Sequence, residues 1–284
     1  MTVDATITTL LCVLMIECFM LALVVMTIWK ISAKGEFVPF FGGVFVYLAF
    51  TLCVKGIIDM LVALAASNST AIEGLLFRGT TNNPTAFYAV GSVVLTVALE
   101  TLGRFLGYRC VHKTRTDRRT AVSFGLGFGA AEAIVTVGLT ALMYFSYAVS
   151  INEGGGLDAL LATLTGSDAD ALRQVGDELA ALTAADCVWM IVERATRLVA
   201  QVALAVMVFA AVHDAEQRNL LWIGAGVQLV CLLPLTFYQI GGAVPQMAAE
   251  ITLTAGAAAL AVLAWRAYHQ LPAPKTYEGR TRYL

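Results

Sequence analysis

The sequence predicts an all-α fold, a polytopic transmembrane helical bundle with about seven spans. Of its 284 residues, 59% are hydrophobic and 13% are charged, and the mean hydropathy is +0.78. Soluble domains carry about 25% charged residues. Apolar runs of about 20 or more residues recur, whereas the period-2 alternation of barrel strands is absent. Because a bilayer core accepts only helices or closed barrels, these runs are expected to be membrane-spanning helices.

Seven spans follow one another along the chain, and residues 1–270 are expected to form a single bundle. The predicted spans are 6–29, 38–66, 84–110, 120–149, 184–212, 219–240 and 244–268. The long segment 150–183 is predicted to lie outside as an amphipathic helical cap, with a solvated acidic loop as the open alternative. Residues 271–284 are expected to form a cytoplasmic tail.

The distribution of basic residues predicts the orientation. Twelve of the eighteen Lys and Arg residues fall in the loops after spans one, three and five or in the tail, among them a cluster at 109–119. Only Arg78 and Arg173 fall on the opposite side. Cytoplasmic loops carry an excess of Lys and Arg. The N-terminus is therefore expected outside and the C-terminus inside.

Several classes of function and site are excluded by composition. The net charge of −2 comes without a basic patch, so no nucleic-acid partner is expected. None of the six cysteines has CxxC spacing, which argues against a zinc knuckle or a disulfide framework. The glycine-rich run 125–132 follows no strand, so it fails as a nucleotide fingerprint and fits close helix packing better. No cofactor is expected.

Ionisable side chains lie near the middle of three predicted spans. Glu100 and Arg104 are four residues apart and can pair on one helix face. Glu132 lies at a similar depth in span four, and span five carries charges over 193–197 and then Gln201. A charge in hydrocarbon costs ~2.5–3.5 kcal/mol or more unless it is paired and turned inward. We therefore predict one buried polar layer, which is either a functional site or a network that only holds helices together.

Other isolated polar groups favour structural roles. Lys55 and Asp59 form a second pair with a four-residue spacing, in span two. Glu17 and Glu250 stand alone in their spans, as protonated core carboxyls or as members of a proton relay. The three histidines all fall at the predicted cytoplasmic boundary, so none is expected in the polar layer.

Three blocks of sequence resemble the YhfC family of intramembrane metalloproteases, distant relatives of the CAAX-processing and bacteriocin-processing membrane proteases. The family pattern is Glu-Glu-x-Gly-Arg in one span, Gly-x-Gly-His-Gly-x-x-Glu-Ala in the next, and Glu-Arg with a His seven residues later. The corresponding blocks here are Glu-Thr-Leu-Gly-Arg over 100–104, Gly-Leu-Gly-Phe-Gly-Ala-Ala-Glu-Ala over 125–133, and Glu193-Arg194 followed by Gln201. The order and spacing match over about 60–270.

The departures from this pattern fall on the residues that the resemblance implies are catalytic. Thr101 replaces the second Glu, and Phe128 and Gln201 stand at the two His positions. Such a protease needs a carboxylate to activate water and histidines to bind metal or stabilise an oxyanion. Phe cannot serve either purpose, and Gln is a poor zinc ligand. No metal site is expected.

The remaining residues are candidate remnants of a catalytic site, and three others are expected to line its cavity. The candidate remnants are Glu100, Arg104, Glu132, Glu193 and Arg194, and the expected cavity residues are Thr101, Phe128 and Gln201. We favour a non-catalytic scaffold or regulatory subunit that lies in a bacterial cytoplasmic membrane. This protein would contact lipids and bind a membrane partner, peptide or lipid. Two alternatives stay open: the transmembrane subunit of a transporter complex, and an active glutamate-dependent membrane peptidase.

Overall fold

The computed structural model describes residues 2–77, 84–111, 117–162, 166–241 and 244–271, and these are almost entirely helical. Within those ranges the one β pairing is an isolated bridge between Phe77 and Pro84. Seven helices are long and apolar enough to cross a membrane, which confirms the predicted all-α bundle. Spans one to seven are, in order, Ala5–Ala33, Phe37–Ser67, Ala86–Cys110, Arg118–Glu153, Ala184–His213, Ala215–Gln239 and Gln246–Gln270.

Two of the spans contain a π-helical segment that the sequence pattern did not predict. Span two widens over Leu48–Val54, and span four widens over Ile134–Gly138. Hydrophobic periodicity averages over a whole span, so one wide turn leaves no separate signal in it. Segments of this kind are frequent at functional sites.

Small residues bring spans two, four and five close together. A Cβ atom on Gly127 would collide with the backbone carbonyl of Phe40 in span two. On another face of span four, a Cβ on Gly125 would lie 2.8 Å from the Cα of Val202 in span five. The glycine-rich run therefore serves close helix packing. As a result, nearly every residue of span four from Thr120 to Glu132 is buried.

Two further helices pack over the ends of spans one, four and five, at the end of the bundle where spans one, three, five and seven begin. We refer to this end as the cap end. These helices are Leu157–Leu161 and Ser167–Ala181. Their buried leucines pack against the ends of spans one, four and five in a cluster of Val3, Leu11, Ala148, Ile151, Leu157, Leu172, Leu179 and Cys187. The opposite end, which carries Lys34 and Arg118, is the basic end.

Side chains cap two of the four spans that start at the cap end. Asp4 accepts a hydrogen bond from the backbone N–H of Thr6 at 2.6 Å, and this bond lowers the pKa of the Asp4 carboxyl. Thr183 and Asp186 form a capping box at the start of span five. Which end faces the cell exterior stays a prediction. Several residues that bear on it lie outside the described ranges, namely Arg78, His112, Lys113, Arg115 and the tail residues 272–284.

A buried polar layer as candidate functional site

The charged residues predicted from spans three, four and five lie together in one buried layer. Six of its residues, which come from spans three, four and five, are between 0% and 8% exposed: Glu100, Arg104, Glu132, Glu193, Arg194 and Gln201. Two more residues join them, Arg197 of span five and Gln228 of span six. We refer to these eight residues as the polar layer.

Span three contributes an ion pair that is closed off from its surroundings. The Arg104 guanidinium lies 3.0 Å from Glu100 Oε2, one turn away on the same helix, and Arg104 is 0% exposed. Glu100 Oε2 also accepts a hydrogen bond from Gln228 Nε2 at 2.8 Å. On its other side, Arg104 donates to Gln201 Oε1. Span three is therefore tied to spans five and six through a single buried pair.

Gln201 occupies the centre of the layer. Its amide nitrogen donates to Glu132 Oε2 of span four and, at 3.4 Å, to Glu100 Oε2 of span three. Its amide oxygen accepts from Arg104. One amide thus bridges two carboxylates and a guanidinium, which a neutral imidazole, with one donor and one acceptor, could not do.

Arg197 is the second centre of the layer. Its Nε and Nη2 atoms each lie 2.7 Å from Glu132 Oε1, and its Nη1 lies 3.5 Å from Glu193 Oε1. Glu193 also contacts Arg194, which in turn donates to Thr136 Oγ1 at 3.1 Å. Thr136 belongs to the π-helical segment of span four, so this wide turn adjoins the layer directly.

The two residues that the sequence analysis left out of the site are Arg197 and Gln228. Arg197 was recognised as an intramembrane charge, but it lies outside the three blocks of the family pattern. Gln228 had a usable signal, because an amide in the middle of an apolar span is expensive unless it has a partner. Its partner on span three could not be inferred, since the two residues are 128 positions apart.

The three expected cavity residues lie in different surroundings. Gln201 borders a void of about 20 Å³ together with Arg197 and Gln228. Phe128 is 0% exposed, and its ring lies 4.0 Å from Arg104 Cζ. The Tyr47 ring meets Phe128 edge-on with centroids 5.1 Å apart. Thr101 is half-buried on span three. Phe128 thus provides a cation–π face for Arg104.

Two further glutamates extend the layer towards spans one and seven. Glu17 Oε2 is buried without a hydrogen-bond partner, beside a void of about 10 Å³ that Arg194 also lines. Glu250 is 4% exposed and interacts electrostatically with Glu193, Arg194 and Arg197. Neither residue is therefore isolated, although each is alone in its own span.

The donor set of the layer does not fit a metal ion. In the described ranges no group of three or more His, Cys, Asp or Glu side chains lies close enough to hold one. Glu100 and Glu132 are joined by the amide N–H groups of Gln201, and each also binds an arginine. The described histidines lie elsewhere, with His213 Nδ1 2.9 Å from the Phe209 carbonyl and His269 Nδ1 2.8 Å from the Trp265 carbonyl. The metal that the family resemblance implies would need at least three ligands here.

Comparison with known proteins identifies the family. The family model described as YhfC intramembrane metalloprotease matches residues 18–253, from within span one to within span seven. The uncharacterized membrane protein YhfC of Bacillus subtilis (strain 168) is 29% identical over 180 residues. That stretch is 62% of this chain and 66% of the relative, just under two thirds of its length. No solved structure matches the chain. Because the family model covers most of the chain, this multi-pass membrane protein belongs to the YhfC intramembrane metalloprotease family.

Proposed function

We propose that this protein is a non-catalytic member of its family. It lies in a bacterial cytoplasmic membrane and acts as a scaffold or regulatory subunit that binds another membrane component. The observation that carries the proposal is the position of Gln201, whose amide joins Glu100 and Glu132. These are the two carboxylates best placed to act in hydrolysis, and both already have buried partners.

A general base must have an oxygen that can take a proton from water. Glu132 uses Oε1 for Arg197 and Oε2 for Gln201, and Glu100 Oε2 accepts from Arg104, Gln201 and Gln228. Both oxygens of Glu132 are therefore occupied by protein partners, and Oε2 of Glu100 accepts three hydrogen bonds, so none of these atoms is free to take a proton from water.

The space beside Gln201 argues in the same direction. The void beside Gln201 is about 20 Å³. A void needs ~10–15 Å³ of space for the centre of a water molecule, so this void can hold one water but no peptide bond. Gln228 Oε1 is buried without a protein partner and borders the same void, which gives that water an acceptor. The arrangement suits a hydrated structural network.

One experiment separates the scaffold from a peptidase. Membranes from cells that express the wild type, Glu132→Gln or the exposed control Glu153→Gln are solubilised in mild detergent, and co-purifying proteins are quantified. Peptide termini in the same membranes are mapped in parallel. The scaffold predicts a stoichiometric partner with the wild type and unchanged termini in all three.

The contrary result is equally specific. If Glu132→Gln stays folded, keeps its partner and yet causes an uncut membrane protein to accumulate, the protein is a glutamate-dependent peptidase. A transporter ATPase as the stoichiometric partner would instead assign the protein to a transport complex.

A further inference from the structure

A larger cavity, separate from the voids at Gln201 and Glu17, extends from the cap end towards the polar layer. Its volume is about 320 Å³, within the range of about 300–1,000 Å³ that is usual for small-molecule sites. Pro84, Gln239 and Ile240 line it near the cap end, and Lys55 and Arg197 line it deeper. Those two cations lie twelve and thirteen residues from the cap ends of their spans, or ~18–20 Å along the helix axes.

The charges around this cavity are arranged asymmetrically. Both charged residues in its described lining are cations, whereas their carboxylate partners are not in the lining. Lys55 pairs with Asp59 at 2.6 Å, and Arg197 pairs with Glu132 at 2.7 Å. Each ion pair therefore contributes its cation, and not its carboxylate, to the described lining. In a low-dielectric setting such cations attract an anion much more strongly than they would in water.

Unused donors remain on both cations. An ammonium has three N–H groups, and Lys55 uses one for Asp59. A guanidinium has five N–H groups. Arg197 makes one contact through each of its three nitrogens, with Glu132 and Glu193, which leaves two N–H groups unused. The side chains of Lys55 and Arg197 each remain 19% exposed. The hydroxyl of Ser92 and the amide of Gln239 add further polar groups to the lining.

We propose that this cavity binds a phosphate group, carried either by a small soluble molecule or by a lipid headgroup that enters from the cap end. Both cations keep N–H groups that their carboxylate partners do not use, and charge-assisted hydrogen bonds from Arg and Lys are the usual means by which proteins recognise phosphate. The site goes beyond the partner-binding function, and it stands whether or not the polar layer is catalytic.

The test measures thermal unfolding of the full chain in neutral detergent micelles by tryptophan fluorescence. Inorganic phosphate is compared with chloride at equal ionic strength, and phosphatidylglycerol is compared in mixed micelles with diacylglycerol, a lipid that carries no phosphate. A ligand that binds only the folded state raises the Tm by mass action. We expect one or both anionic probes to raise the Tm of the wild type.

Matched variants assign that rise to the cavity. Lys55→Gln/Asp59→Asn removes one ion pair of the cavity, and Arg173→Gln/Asp170→Asn removes an exposed pair at the cap end, away from the cavity lining. The first variant should lose the rise and the second should keep it, which also separates binding from general salt effects. If the first variant does not fold, Ser92→Leu fills the cavity without changing any charge and should lose the rise in the same way.

The outcomes distinguish the two sources of phosphate. A rise with inorganic phosphate supports a soluble ligand, and a rise with phosphatidylglycerol alone supports a lipid headgroup. No rise with either probe overturns the proposal. A rise that survives in the folded cavity variants overturns it as well.

Discussion

Removing one member of the Glu100–Arg104 pair should destabilise the protein more than removing both. The variants are Glu100→Gln, Arg104→Met and the double replacement. Glu100→Gln leaves the Arg104 charge with the amide oxygen of Gln201 and the ring of Phe128. Arg104→Met leaves the Glu100 charge with the amide groups of Gln201 and Gln228. Both residues are buried to within 2% of completely, so solvent cannot replace the lost partner.

The magnitudes follow from this burial. Breaking a buried pair by removing one partner typically costs ~3–5 kcal/mol, whereas replacing both partners by uncharged residues also removes the cost of burying the two charges. The double variant still leaves Gln201 Oε1 without its donor, which costs ~1–3 kcal/mol. Each single variant should therefore lose more free energy of unfolding than the double variant, with a coupling energy of about 3 kcal/mol or more between the two positions.

The assay is reversible unfolding in mixed micelles, followed by tryptophan fluorescence for all four proteins of the cycle. An exposed pair gives the control: Arg173 and Asp170 lie 3.3 Å apart with side chains 59% and 78% exposed. Their coupling should be about 0.2–1 kcal/mol. Strictly additive losses at Glu100 and Arg104 would refute the reasoning that the two charges compensate each other in a solvent-free layer.

Three further predictions follow from the fold and the layer. In a cysteine-free background, Ala159→Cys at the cap end should react with an impermeant reagent in intact cells and Glu216→Cys should not; the reverse pattern would invert the predicted orientation. The purified protein should hold well under one zinc per chain by elemental analysis, because no three potential ligands among the described residues lie close enough together, and near-equimolar zinc after a chelator wash would restore the metalloprotease interpretation. Gly127→Ala should lower the free energy of unfolding by about 1–3 kcal/mol through its collision with Phe40, whereas Gly226→Ala, which meets open space, should raise it by about 0.5–1 kcal/mol; equal effects would contradict the close approach of spans two and four.

The parts of the fold that were predictable from sequence depend on short-range physics. Span positions follow from hydropathy, since a segment in the bilayer must be apolar and must satisfy its own backbone hydrogen bonds as a helix. The Glu100–Arg104 pair follows from the geometry of one helical turn. The convergence of Glu132 and Gln201 on that pair follows from depth, because spans of similar length place their midpoints at one level.

The remaining features depend on how each helix is rotated, which a single sequence does not encode locally. Arg194 and Arg197 both could have paired with Glu193, yet Arg197 takes Glu132 on another span as its nearest partner. Gln228 reaches Glu100 only because span six turns that face towards span three. Such choices are settled by packing of the whole bundle, in particular by the close approaches at glycine.

The wide turn over Ile134–Gly138 divides span four into two halves with different tasks. Towards the basic end, Glu132 faces the polar layer, and towards the cap end, Ala148 and Ile151 face the cap cluster. Each residue of an α-helix advances about 100° around the axis, so one residue accommodated in a wider turn changes the phase of everything beyond it. The segment therefore rotates the side chains beyond it about the helix axis. One continuous helix can then present an ionic face at one depth and an apolar face at another. Deleting a single residue from this wide turn would leave the hydropathy of span four unchanged. The faces of its two halves would nevertheless no longer point towards the polar layer and the cap cluster together.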